Sequence, residues 1–175
     1  MKYLIVYGTV DGHTRKIANR ISERLTAGRD DVCVENSSTI SSNISVPDYD
    51  ACIIAASVHD QRYPETITNF IRAKIVDLNT CPTAFISVGL AVSLEDGHAE
   101  AQRYLDNLLN DTGWKPTMTH NAAGAVRYRK YDFFQQQIVR YIVSKDLQTS
   151  TLTGDLEFTD WQALGDFVDN FCATV

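Results

Sequence analysis

The chain has 175 residues, of which 44% are apolar and 22% charged, with a net charge of −6. That length builds a full core without disulfide staples, and the acidic balance argues against a general nucleic-acid binder. No apolar run reaches the ~18 residues of a membrane-spanning helix, and Met1–Tyr7 lacks the pattern of a signal peptide, so the expected compartment is the cytoplasm.

In chain order, Lys2–Tyr7 reads as a buried first strand, followed by a helix over Thr14–Leu25 with Ile17, Ala18, Ile21 and Leu25 on one face. Asp31–Glu35 is a short second strand and Ala51–Ala56 a third, buried one. Pro64 suits the first turn of the next helix, whose inward face is Ile67, Phe70, Ile71 and Ile75. Thr83–Val88 is the fourth strand, and Glu95–Leu109 a helix carrying Ala99, Tyr104, Leu105 and Leu108. Lys115–Ala123 supplies a more polar fifth strand, and Thr159–Phe171 closes the chain as a helix with Trp161, Leu164, Val168 and Phe171 inward. Strands alternating with helices predict a single α/β domain over residues 1–175. It is a three-layer sandwich with a five-stranded parallel sheet in the order 2-1-3-4-5. The irregular part is a long insertion, about 124–156, before the last helix; long connections in compact domains tend to be functional.

Cys33, Cys52, Cys81 and Cys172 are far apart and sit in or beside apolar segments, which reads as buried reduced thiols. The four histidines form no metal motif, so no metal site is expected.

The sharpest signal is Tyr7-Gly8-Thr9-Val10-Asp11-Gly12-His13-Thr14, between a strand and a helix. Unpaired amides and the positive dipole end at a helix start suit a phosphate. Thr9 and Thr14 add hydroxyls, and Gly12 permits close backbone approach. The absence of Lys excludes the nucleotide-triphosphate loop. The bland alternative is an ordinary capped helix. Leu4–Ala18 resembles the flavodoxin fingerprint, with Tyr7, Thr9, Gly12, Thr14 and Ala18 at the family spacing. The resemblance implies a flavodoxin-like fold and flavin mononucleotide (FMN), its 5′-phosphate wrapped by Thr9, Gly12, His13 and Thr14, with Val10 and Asp11 among the cofactor-binding residues. Asp11 is awkward beside a dianion, so its side chain is expected to turn away and contribute backbone alone.

In open α/β sheets the ligand lies beyond the carboxyl ends of the strands. Two further loops are therefore expected at the flavin ring: one with Ser57, Val58 and His59 after the third strand, the other with Val88, Gly89, Leu90 and Ala91 after the fourth. Their amides can tune the ring, with His59 and Tyr63 as stacking candidates. The second loop carries no aromatic side chain. Either the ring face is left open for a substrate or quinone, or Tyr128 or Tyr131 folds over it.

Between Arg127 and Lys145 five basic residues and one acidic one give +4, leaving −10 on the rest of the chain. From Lys130, Tyr131, Phe134, Ile138, Tyr141 and Ile142 fall on one helical stripe. Basic residues beside such a face suit an interfacial helix on an anionic membrane, and packing on the domain or on a second subunit is the other reading.

A narrower resemblance joins these parts. The chain resembles the menaquinone-dependent protoporphyrinogen oxidases through T-x-D-G-x-T at Thr9–Thr14, Ala56-Ser57, Ser87-Val88, G-A-x-R-Y-x-x-Y at Gly124–Tyr131 and T-D-W at Thr159–Trp161. The last two motifs are absent from ordinary flavodoxins. The resemblance implies that FMN takes two electrons at a time from protoporphyrinogen IX and hands them to a membrane quinone, three rounds giving the porphyrin. It also implies peripheral membrane contact through 127–145 on the inner face of the cell membrane. Arg127, Tyr128, Arg129 and Lys130 are the substrate-binding candidates, since guanidinium groups match propionates; no catalytic base stands out. The chain departs from that family in two loops. Val58–Tyr63 stands where the family has an Arg-Tyr-Gly type loop, and Gly89–Glu95 stands where it has Asn and then an Arg-Lys-Pro cluster. A flavodoxin-type electron carrier, a relative with a changed substrate and a cofactor-free receiver domain are the competing readings.

Overall fold

The computed structural model describes residues 1–94, 96–126 and 156–175. The parallel sheet is built from β1 (Lys2–Gly8), β2 (Asp31–Asn36), β3 (Ala51–Ser57), β4 (Thr83–Gly89) and β5 (Met118–Ala123). Their spatial order is β2-β1-β3-β4-β5, the predicted 2-1-3-4-5.

Side chains on a strand alternate between faces, and this divides the interior into two cores. Tyr3, Ile5 and Tyr7 of β1 face one side, where they meet α1 (His13–Ala27) and the last helix, α5 (Trp161–Cys172), through Ile17, Ile21, Leu164, Val168 and Phe171. Leu4 and Val6 face the other side, against α2 (Glu65–Ala73) and α4 (His98–Thr112), through Ile67, Phe70, Ile71, Leu105 and Leu108. Helices on both faces explain why β1, β3 and β4 are almost uninterruptedly apolar. β5 is more polar because it forms one edge of the sheet.

Several boundaries move from the predicted ones, each for a local reason. The α2 helix stops at Ala73, and Ile75 opens a separate short helix, α3 (Ile75–Leu78), while its side chain still packs on the second core. The α4 helix starts at His98, not Glu95, because a 3-10 turn at Leu90–Ser93 and the close approach of Gly97 to Ala91 occupy the segment before it. A Cβ on Gly97 would lie 1.8 Å from the Ala91 carbonyl oxygen. Ala99, predicted inward, is exposed; Ala101 takes the inward place with Tyr104, Leu105 and Leu108. β5 begins at Met118 rather than Lys115. Ahead of it Trp114 is buried and donates from Nε1 to Thr83 Oγ1 at 3.2 Å. The closing helix starts two residues after Thr159, since Asp160 caps it by accepting from the Ala163 N–H at 2.9 Å.

After β5 the chain passes Gly124 into β6 (Ala125–Val126), which pairs antiparallel with β7 (Leu156–Glu157). Arg127, Tyr128, Arg129 and Lys130, Tyr131 and the helix read over 130–145 lie outside the described residues. The four cysteines are free thiols; Cys52 is fully buried and the others are half-buried. Among the described residues no helix is long and apolar enough to cross a membrane.

Candidate functional site

Larger hollows lie on the outer helical faces, one of about 420 Å³ between α1 and α5 and one of about 630 Å³ between α2 and α4. The smaller cleft, about 160 Å³, opens at the carboxyl ends of β1, β3 and β4. There helix amides and unsatisfied hydroxyls converge, so the chemistry favours it over the larger hollows.

The first wall follows β1. Gly8 ends that strand under α2; a Cβ there would lie 2.4 Å from Ile67 Cγ1, so only glycine lets the helix sit so close. Gly12 is the N-cap of α1 at φ +86°, a left-handed conformation that favours glycine, and among the described residues nothing beyond its own stretch of chain lies within 4 Å of its Cβ position. Among the described residues no side chain caps this helix. Thr9 Oγ1 accepts from the Gly12 N–H at 2.8 Å. Thr14, fully buried, carries a hydroxyl with no hydrogen-bond partner among the described residues.

The second wall is the loop after β3, where the Ser57 hydroxyl is likewise buried without a partner among the described residues. Two such hydroxyls, one on α1 and one at the end of β3, lining one cleft, are what an anionic, oxygen-rich ligand would satisfy. The Val58 N–H donates to the Val88 carbonyl at 2.8 Å, joining this loop to the next. His59 and Arg62 exchange backbone hydrogen bonds of 2.8 and 2.9 Å, with Asp60 and Gln61 at φ +47° and +64°. Two successive non-glycine residues in the left-handed region make a tight, strained turn of the kind found at functional loops.

The third wall is Val88–Leu90, tied to the end of β5 by the Gly124 N–H donating to the Gly89 carbonyl at 3.1 Å. Behind the first wall, His13 is buried with Nε2 2.7 Å from Thr159 Oγ1, and Thr159 Oγ1 donates to the Ala123 carbonyl at 2.7 Å. Glu157 accepts from Lys16 Nζ at 2.6 Å and from Trp161 Nε1 at 2.8 Å. Burial works against the Glu157 carboxylate, yet those two hydrogen bonds outweigh it and hold its pKa below the ordinary value.

Of the predicted cofactor residues, Thr9, Asp11, His13, Thr14, Ser57, Val58, His59, Val88, Gly89 and Leu90 line the cleft. Gly12 lines a neighbouring hollow with Arg15, Lys16 and Trp161; Val10 points to solvent, and Ala91 is turned toward Gly97 rather than into the cleft. Two expectations are corrected. Tyr63 cannot stack on a ring in the cleft: it is buried in the second core, edge-on to Phe85 at 5.3 Å, with its hydroxyl donating to Ser87 Oγ at 2.8 Å. Burial pushes its phenol up to about 12. Asp11 does not turn away either; its side chain is 14% exposed and its Oδ2 lies 3.5 Å from His59 Nε2. Asp60, Gly124 and Ala125 also line the cleft and were not anticipated as cofactor residues, although Gly124 and Ala125 stand in a motif already visible in the sequence.

Comparison with known proteins places this geometry. The family model described as a flavodoxin domain matches residues 4–152. Protoporphyrinogen IX dehydrogenase [quinone] of Leishmania major is 28% identical over 173 residues, covering 98% of this chain and 75% of that protein. The protein of the same name from Escherichia coli strain K12 is 28% identical over 168 residues, covering 95% of this chain and 92% of its own length. Among solved structures, a Fusobacterium nucleatum flavodoxin bound to flavin mononucleotide superposes with a TM-score of 0.55 at 13% identity, over 99% of this chain and 98% of that one. A five-stranded parallel sheet with a phosphate-type loop after its first strand defines an α/β protein of the flavodoxin class. This chain belongs to the flavodoxin family.

Proposed function

We propose that this protein is an FMN-dependent dehydrogenase that oxidises protoporphyrinogen IX and delivers the electrons to a quinone. The observation that carries the reading is likeness, along 95% or more of the chain, to two proteins of that name. The cofactor is FMN, which the flavodoxin-family cleft is built to take and which the Fusobacterium nucleatum flavodoxin binds. When bound, FMN accepts two electrons from an organic donor and releases them to an acceptor.

The roles of the chain's own residues follow from the cleft. The amides at the start of α1 and the Thr9 and Thr14 hydroxyls hold the phosphate, with the open face of Gly12 admitting it. Ser57, Val58 and the Val88–Leu90 backbone line the cleft and would hold the ring there. No aromatic side chain stands in Gly89–Ser93, which leaves one ring face accessible to a flat donor. Arg127, Tyr128, Arg129 and Lys130 bind the propionates, on the strength of their charge and their place in the G-A-x-R-Y-x-x-Y motif. The basic, aromatic stretch 127–145 brings the enzyme to the inner face of the cell membrane, where quinone is found.

The test is direct. Protein loaded with FMN and supplied with a soluble quinone should convert protoporphyrinogen IX into fluorescent porphyrin. Flavin uptake with porphyrin forming no faster than in a protein-free control removes this substrate. It would favour an electron carrier that meets basic partners through its acidic body.

A further inference from the structure

The chain leaves a puzzle at its phosphate loop. A Ser, Thr or Asp at the N-cap would steady the start of α1, but it would also consume the amides of the second or third helical residue, which an anion needs. Here the N-cap is Gly12 and, among the described residues, no side chain caps the helix. Thr9 Oγ1 holds the Gly12 N–H within the turn, and a second hold comes from α5.

His13, the first residue of α1, is 5% exposed, and its Nε2 lies 2.7 Å from Thr159 Oγ1. The same oxygen lies 2.7 Å from the Ala123 carbonyl. A carbonyl has no hydrogen to give and a hydroxyl has one. The Thr159 hydrogen therefore goes to Ala123, and the second contact is a hydrogen bond only if His13 Nε2 carries a proton and donates it. Thr159 is itself held on both sides. The strand end at Ala123 anchors its hydroxyl, and Asp160 caps α5 directly after it. Trp161 completes the bracket: its ring lies edge-on to His13 at 6.2 Å, its Nε1 donates to Glu157, and Lys16 Nζ stands 5.0 Å over it.

We propose that Thr159 is a positioning residue for the cofactor phosphate: its hydroxyl keeps His13 protonated at Nε2, while Nδ1 faces Glu157 Oε2 at 3.8 Å, and so fixes the Gly12–Thr14 turn. This rests on the FMN reading above. It assigns a physical task to the T-D-W run at Thr159–Trp161, which meets α1 at His13 and Lys16. A purely structural hydrogen bond that merely attached α5 would have no preference between flavins with and without a phosphate.

The experiment uses the full chain with FMN and with riboflavin, which has the same ring and no phosphate. Nitrogen-15 NMR of the wild type should find His13 protonated at Nε2. Thr159→Val should weaken FMN about tenfold, the scale of one lost hydrogen bond, and change riboflavin affinity less than about twofold. Thr159→Ser, which keeps the hydroxyl, should restore FMN affinity. An Nδ1–H tautomer in the wild type overturns the proposal, and so does a Thr159→Val protein that binds FMN normally or loses both flavins equally. Should Thr159→Val fail to fold, the wild-type tautomer and the affinity of Thr159→Ser still decide. A wild type that takes up neither flavin sinks the FMN reading and the phosphate role with it, whereas the tautomer separates that failure from an error about Thr159 and His13.

Discussion

His59 Nε2 and Asp11 Oδ2 stand 3.5 Å apart, so a side chain from the loop after β3 meets one from the loop after β1 at the mouth of the cleft. The strained turn at Asp60 and Gln61 aims His59 at this meeting point. A carboxylate beside a phosphate site opposes binding, and an imidazole that shares its charge relieves part of that opposition.

Asp11→Asn should tighten FMN severalfold, about 3 to 10 times at the effective dielectric of a partly buried site, and leave riboflavin unchanged. His59→Gln should weaken FMN in the wild type and have little effect in the Asp11→Asn background. Flavin fluorescence quenching over the four proteins measures this coupling directly. Equal effects of His59→Gln in both backgrounds would disprove it.

Thr14 and Ser57 each bury a hydroxyl with no partner among the described residues. Such a group carries a desolvation cost of ~1–2 kcal/mol that its removal relieves. Thr14→Val and Ser57→Ala should therefore raise the Tm of the cofactor-free protein by a few degrees, while weakening FMN about tenfold. Differential scanning calorimetry without flavin, paired with an FMN titration, checks both halves. A lower Tm without flavin would mean that these hydroxyls are already satisfied.

The Gly97 site has no room for a side chain. A Cβ would meet the Ala91 carbonyl oxygen at 1.8 Å, and backbone, unlike a flexible side-chain tip, must shift as a unit. Gly97→Ala should cost on the order of 1–3 kcal/mol or more. It should also weaken both FMN and riboflavin, since the Leu90–Ser93 turn forms one approach to the ring. Urea unfolding and the two flavin titrations test this, and retention of wild-type stability would show the contact to be absent in solution.

Burial lowers the pKa of His120, and the carboxylate of Asp160 opposes that shift without cancelling it. Below about 6.5 the unfolded chain takes up a proton that folded His120 resists. Stability therefore falls as pH drops through about 6.5, and the loss stops growing below the lowered folded value. His120 also stacks on Phe167 at 5.0 Å, so His120→Gln will cost stability at every pH. The difference between pH 7.5 and 5.0 in urea midpoint should nevertheless be smaller in His120→Gln than in the wild type, and an unchanged difference would clear His120.

The strands and most inward helix positions were legible because their cause is local. Continuous runs such as Cys52–Ala56 and Ala84–Ile86 need two covering layers, whatever the rest of the chain does. The cleft loops were legible from a rule about strand ends. Side-chain direction within them was not: Tyr63 lies six residues beyond the end of β3, and whether it joins the ring site or the core depends on Ser87 and Phe85 waiting beneath it. Ala99 and Ala101 are equally apolar, and the 101, 104, 105, 108 spacing of the buried stripe decides which one the helix turns inward.

By itself, the order of residues determined an alternating α/β chain and a phosphate-type turn at Thr9–Thr14 through local spacing, and the 2-1-3-4-5 sheet through the rules that govern parallel crossovers. Only the tertiary structure decided that His13 meets Thr159, 146 positions away, and that Asp11 faces His59 rather than solvent. The reason is physical: hydrogen-bond partners are chosen by distance in space. Chain folding sets that distance after the local patterns have placed the strands.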